Sequence, residues 1–235
     1  MKTISIILAL LALSTCLFAQ EDVVEISLPL RTGQKAILNL RFADKIEVKT
    51  WDKKELFIRA NVHINGGLLN DAHKIDTVMS DYALEISTDF DEDIIKNSGF
   101  RDCDGKNRSQ YNFDHRRGDR SYNICHTINY TIFLPAETDL EIETISGDIA
   151  IANMKSEVEA KSVSGVVDVI IAKNLKADIL LESVTGRAYT EPAMFTRADG
   201  LQVLLSRKIS GQLNGGGKNI HLESVSGNVS LRHPD

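Results

Sequence analysis

The sequence predicts an all-β protein: a parallel β-solenoid, or β-helix-like stack, of rungs about 20 residues long that turn at Ser-Gly bends. Three observations predict it. First, one phrase recurs five times between 140 and 231: Thr144-Ile145-Ser146-Gly147, Ser162-Val163-Ser164-Gly165, Ser183-Val184-Thr185-Gly186, the degraded Lys208-Ile209-Ser210-Gly211, and Ser224-Val225-Ser226-Gly227. Second, apolar residues alternate on both sides of the glycines. Seven positions before stand Leu140, Val158, Ile179, Leu204 and Ile220; two positions after stand Ile149, Val167, Ala188, Leu213 and Val229. This is the two-residue period of a strand with one buried face. Third, four positions before each glycine stand Glu143, Lys161, Glu182, Arg207 and Glu223, whose sign alternates from each repeat to the next. In-register parallel rungs lie about 4.8 Å apart, so opposite charges in such a column would pair. The repeats leave one alternative open: an antiparallel β-sandwich in which each Ser-Gly is a hairpin turn.

Residues 1–19 read as a secretory signal: Lys2, the apolar run Ile4–Leu13, and Ala19 before the cut. Leu13-Ser14-Thr15-Cys16 is also a loose lipobox that would lipidate Cys16, a reading weakened by Thr15 just before the cut and the apolar Leu17-Phe18 after it. Residues 20–235 then form one elongated β domain: strands in 20–88, an insert at 89–121, and the repeats in 122–235. Val24, Ile26 and Leu28 alternate in a first strand that Pro29 limits. Gln34–Thr50 reads as a further repeat, with Ala43-Asp44 in place of Ser-Gly, and Leu56–Ile64 alternates again. The spacing of Leu69, Ala72, Ile75 and Met79 predicts a short helix over 68–79, and Ala83–Ile86 a strand. Residues 89–121 are polar and turn-rich, an unusually long break that is functional or disordered. Alternation resumes at Ile124–Leu134.

With Pro135-Ala136-Glu137-Thr138 opening the Ser-Gly repeats and Phe18-Ala19-Gln20 ending the leader, the chain resembles the "putative adhesin" family of exported bacterial proteins, domains of unknown function common in Bacteroidetes. The resemblance covers 36–64 and 127–231. It implies a parallel β-solenoid on the cell surface or in the periplasm, and it carries over no catalytic residues.

The chain holds 27 Lys and Arg against 33 Asp and Glu, a net charge of −6. A mild acidic surplus argues against a nucleic-acid partner, and no segment after the leader is apolar enough to span a bilayer. Cys103 and Cys125 remain after cleavage, and an exported address permits a disulfide at the base of the insert; two free thiols are the plainer alternative. Asp89, Asp91 and Asp93 are a weak calcium candidate, since such carboxylates also make an ordinary solvated loop. Tyr111, Phe113 and Tyr122 lie among Arg116 and Arg117, a mixture able to stack on sugars and grip anionic groups. The same rings would equally pin the insert to the wall of the stack.

The motif serines lack a base in reach, so a bend role is expected, with glycine at positive φ and the hydroxyl on local backbone. No cofactor is expected. The main reading is a non-enzymatic, adhesin-like binding or scaffold module at the cell envelope. Its partners would be surface glycans, envelope proteins, or further copies meeting end to end or edge to edge. The rival readings are a polysaccharide-active enzyme on a β-helix scaffold and a periplasmic interaction domain of a sensing system.

Overall fold

The computed structural model describes residues 22–99, 109–114, 121–191 and 207–234, with 109–114 and 121–123 described by their backbone. Alternating apolar residues make strands nearly throughout. Five strand pairs form the repeating units: β2 (Lys35–Asn39) with β3 (Lys45–Trp51), β9 (Leu140–Thr144) with β10 (Asp148–Met154), β11 (Val158–Ser162) with β12 (Val167–Ile171), β13 (Ala177–Ser183) with β14 (Ala188–Thr190), and β16 (Lys218–Ser224) with β17 (Val229–Arg232). In each unit the first strand lies in one sheet and the second in the other. The Ser-Gly bend therefore carries the chain between two sheets and is not a hairpin turn within one.

Successive units pair in parallel and in register. Val158 stands opposite Leu140 on one side and Ile220 on the other, and Ala160 opposite Ile142 and Leu222. Every one of these residues is 1% exposed or less. The Ala43-Asp44 bend joins the stack as predicted, with β3 beside β10 and β2 beside β9. Both sheets feed one buried apolar cluster, the layering of a sandwich with the ladders of stacked rungs.

The all-β class is thus observed, in an architecture of two mixed sheets. Antiparallel strands close the ends. In one sheet, β1 (Asp22–Pro29) pairs with β4 (Glu55–Ile64), and β4 with the long β8 (Ser121–Pro135). In the other, β5 (His73–Met79) pairs with β6 (Ala83–Phe90). The degraded fourth repeat supplies β15 (Lys208–Leu213), which runs antiparallel to β13 and places Gly211 opposite Ile179. Four motif glycines, not five, therefore share a column.

Spatial order also departs from sequence order. The unit β16–β17 sits between β11–β12 and β13–β14, so the last repeat separates the second from the third. This overturns the alternating charge column: Glu223 lies beside Lys161 but also beside Glu182. The like charges are relieved by Lys208 of β15, 2.7 Å from Glu182; the His221 ring nitrogens lie 3.8 Å from Glu159 and 3.5 Å from Glu182.

Two local expectations change. Residues 65–67 and 70–72 form 3-10 turns, and 73–79 is the strand β5, where a helix was expected. Positive φ at Asn65, Gly66 and Gly67 breaks helical propagation, and pairing with β6 favours the β-branched Ile75, Thr77 and Val78. The insert is not structureless either. β6 runs on to Phe90, which stacks on Phe42 at 4.4 Å between centroids; helix α1 (Glu92–Asn97) and strand β7 (Ser109–Asp114) follow.

Candidate functional site

The insert returns to the scaffold as a hairpin. Among the described residues β7 pairs with β8 alone, with Phe113 opposite Tyr122 and Tyr111 opposite Ile124. Ile124, the first residue of β8 past Tyr122 whose burial is described, is 1% exposed, where β8 enters the core. Arg116, Arg117 and Cys103 lie outside the described residues. Cys125 is disulfide-bonded, with a partner outside the described residues. Its backbone N–H donates to Asn65 Oδ1 at 2.8 Å, which ties the base of the hairpin to the turn after β4.

The acidic residues that open the insert include two in structural use. Asp91 caps α1, accepting from the N–H groups of Asp93 and Ile94, and pairs with Lys74 at 2.7 Å. The Lys74 ammonium and those N–H groups hold its carboxyl below the usual range. Asp89 pairs with Arg41 at 3.3 Å. Asp93 lines a shallow surface hollow with Asp91, Leu68 and Ile94. Among the described residues no three His, Cys, Asp or Glu side chains converge as a metal site.

The motif hydroxyls are spent on backbone. Ser162 Oγ donates to Gly147 O at 3.0 Å and accepts from Gly165 N at 2.8 Å; Ser224 does the same with Gly165 O and Gly227 N. These serines are buried, and the partners of their hydroxyls among the described residues are backbone groups. The motif glycines do not adopt positive φ. They are required by close approach instead, since a Cβ on Gly165, Gly186 or Gly227 would stand 1.9–2.1 Å from the carbonyl oxygen of the glycine in the neighbouring unit.

A buried polar cluster lies beneath the insert. His73 Nε2 and Tyr130 Oη are 2.7 Å apart. Asp44 Oδ2 accepts from Ile128 N at 2.8 Å and lies 3.5 Å from His126 Nδ1. Burial, with His126 adding to it, pushes the His73 pKa down to about 4, and burial raises that of Tyr130. Tyr130, His126 and Thr88 are each 2% exposed, and His73 and Asp44 are half-buried, so most of the polar groups of this cluster are turned into the fold and support it.

Among the described residues, a surface feature suited to binding lies where three turns converge: 30–34, 51–54 and 135–138. They enclose a groove of about 390 Å³. Trp51 ends β3 at its rim, and its indole Nε1 donates to Glu55 O at 2.9 Å. The ring stacks on Phe133 at 5.2 Å between centroids and tilts against Phe57 at 6.0 Å. Both phenylalanines face outward because their neighbours Leu56, Ile58, Ile132 and Leu134 face the core. Lys53 Nζ stands 4.5 Å from the Trp51 ring centroid, a cation–π contact. Arg31, Lys53, Lys54 and Lys155 line the groove against Asp52 and Glu137, a local cationic excess in an acidic chain. Three of those cations are in exposed pairs: Arg31 with Asp81 at 2.9 Å, Lys53 with Glu55 at 3.4 Å and Lys155 with Glu137 at 3.8 Å. Such pairs are worth roughly 0–1 kcal/mol and yield readily to a ligand anion. Lys54 has no ion-pair partner among the described residues.

Sequence reasoning passed over this groove. The signal available was the single tryptophan and two phenylalanines at the outward positions of alternating strands. The turns themselves are far apart in sequence.

Two solved structures are similar to this chain. One is a "putative cell adhesion protein" from Clostridium sporogenes, 11% identical, matching 92% of this chain and 100% of the other with a TM-score of 0.52. The other is a "putative adhesin" from Bacteroides fragilis, also 11% identical, matching 92% and 99% with a TM-score of 0.31, a superposition that carries no argument. The clostridial likeness shows a shared all-β fold. No family model and no curated protein matches the chain. No helix among the described residues is long and apolar enough to cross a membrane.

Proposed function

We propose that this protein is an exported, non-enzymatic, adhesin-like binding module of the cell envelope, built on a short solenoid-type stack and directed at acidic glycans. The observation that carries the reading is the Trp51 groove. An indole with two outward phenylalanines offers apolar surface to the face of a sugar ring, and four cations offer contacts to a carboxylate or sulfate. The name of the clostridial protein, whose fold this chain shares, supports the adhesive role. The leader at 1–19 supports the exported address.

The insert hairpin is a second recognition surface in this reading, because among the described residues β7 is paired with β8 alone. Tyr111, Phe113, Arg116, Arg117 and Tyr122 are its candidate residues, stapled by a Cys103–Cys125 disulfide.

A glycan array carrying uronate-bearing, sulfated and neutral saccharides tests this. Binding to the acidic set is expected to weaken about tenfold or more in Trp51→Ala, and to fall with added salt as screening grows. If Trp51→Ala binds as well as the parent while replacement of 99–120 by a short linker abolishes binding, recognition belongs to the insert. Release of new reducing ends from a bound polysaccharide would replace the binding reading with the enzymatic one.

A further inference from the structure

The unit β16–β17 occupies a slot in the middle of the stack, and the chain reaches it through a run of left-handed residues. Asn214, Gly215, Gly216 and Gly217 have φ of 52°, 91°, 82° and 158°. That turn leads from β15 at the edge of one sheet, past β13, to β16 on its far side. It is held lightly. Gly217 N donates to Asp178 Oδ2 at 3.1 Å, Gln212 Nε2 donates to Asp178 Oδ1 at 2.9 Å, and Asn214 Nδ2 donates to Lys173 O and Leu175 O.

The unit itself is held strongly, and by the two neighbours rather than by the segment that precedes it. β16 pairs along its length with β11 and with β13, and β17 with β12 and with β14. Ile220, Leu222, Val229 and Leu231 are each 1% exposed or less. Ser224 donates to Gly165 O on one side, and Gly227 O accepts from Ser183 on the other. Without this unit the slot would present unpaired parallel edges on both sheets, cut to one shape of rung. The surface complementary to it is a second β16–β17.

We propose that β16–β17 exchanges between copies of this chain, so that a second copy is an assembly partner and each copy's slot is filled by the other's last unit. The interactions inside the slot are the same in the closed and exchanged forms. Only the glycine turn differs, and glycine there accepts an extended conformation as readily as a turned one. Reciprocal exchange makes a closed dimer; one-way exchange makes an open chain of copies.

The test uses two full chains, differently tagged and co-expressed, each with one new cysteine. Glu159→Cys in one and His221→Cys in the other occupy directly opposed, outward positions of β11 and β16. Their Cα separation in a parallel ladder suits a disulfide, and the two come together only if β16 enters the other chain. The expected result is a mixed-tag disulfide dimer on a non-reducing gel. Ile37→Cys with Glu141→Cys, opposed across β2 and β9, should give none. Deleting Gly215 and Gly216 should raise the mixed dimer by roughly threefold or more, because a shortened hinge favours exchange, and light scattering should show the mass of a dimer or larger. Lys161→Cys with Glu223→Cys, also opposed in β11 and β16, repeats the measurement if the first pair lowers yield. Absence of mixed dimer with both pairs overturns the proposal, as does an equal yield from the β2–β9 control.

Discussion

A Cβ on Gly165 would stand 1.9 Å from the carbonyl oxygen of Gly147 and 2.8 Å from Ser162 Oγ. No rotamer relieves that clash, so Gly165→Ala must push two units apart across both sheets. The expected loss is about 3 kcal/mol or more, read by urea denaturation. Ser162→Ala removes a buried hydroxyl that joins two backbone groups and should cost about 1–2 kcal/mol. Ser164→Ala, on the exposed side of the same bend, should stay within about 0.5 kcal/mol. Equal effects of the two serine changes would reject this division of roles. His73 carries a pH dependence. Its folded value is about 4 against 6.5 for an unhindered imidazole, so between those values the unfolded chain binds more protons. Stability is complete above 6.5 and declines by up to about 3 kcal/mol as the pH falls towards 4. His126 and Asp44 adjoin the same cluster, so the comparison is between the parent and His73→Gln, whose denaturation midpoint should vary less over that interval.

Among the elements, the last unit should be indispensable because it is interior. In a stack built in sequence order it would be an end rung, and its loss would be tolerated. Here truncation after Gly217 strips β11, β12, β13 and β14 of a partner each and removes four buried aliphatic side chains, each worth roughly 1.5–3 kcal/mol. The truncated chain is expected to lose its β-sheet circular dichroism or to aggregate through the exposed edges. A soluble, cooperatively folding truncate would mean that the third unit closes onto the second. β15 shows the opposite economy of means: a repeat whose serine phrase has decayed to Lys208-Ile209-Ser210 serves as an antiparallel edge strand, and Lys208 provides the cation that Glu182 needs.

At the scale of the whole molecule, parallel units form the body, antiparallel strands close it, and the sites of interest are at the margins. The turns of 30–34, 51–54 and 135–138 make the groove, and the β7–β8 hairpin stands beside the buried His73–Tyr130 cluster. The hairpin's base should be stapled. Mass spectrometry of alkylated, unreduced protein is expected to show Cys125 joined to Cys103, and reduction should lower stability by about 3 kcal/mol, the loop-closure value for a loop of this length. A peptide carrying alkylated Cys103 would reject the pairing.

Alternation of apolar residues determined, without help from structure, that this chain is all β and which face of each repeat is buried. The period of two is local, and Leu140, Val158 and Ile220 can be buried only on the face that their spacing defines. The recurrent Ser-Gly phrase likewise showed where the chain turns. It did not show why glycine is needed, because a close approach between units is a tertiary fact and leaves no mark on φ preference. The order of units was also out of reach. Each carries nearly the same apolar interface above and below, so the repeats are degenerate as partners, and the spacing of the phrases leaves no mark of the order that places the fifth repeat between the second and third. The helix expected over 68–79 failed for a related reason: the spacing of Leu69, Ala72 and Ile75 suits a helix, but β6 offered an edge to pair with. The Trp51 groove needed the fold most of all, since it is made where three turns from distant parts of the chain meet.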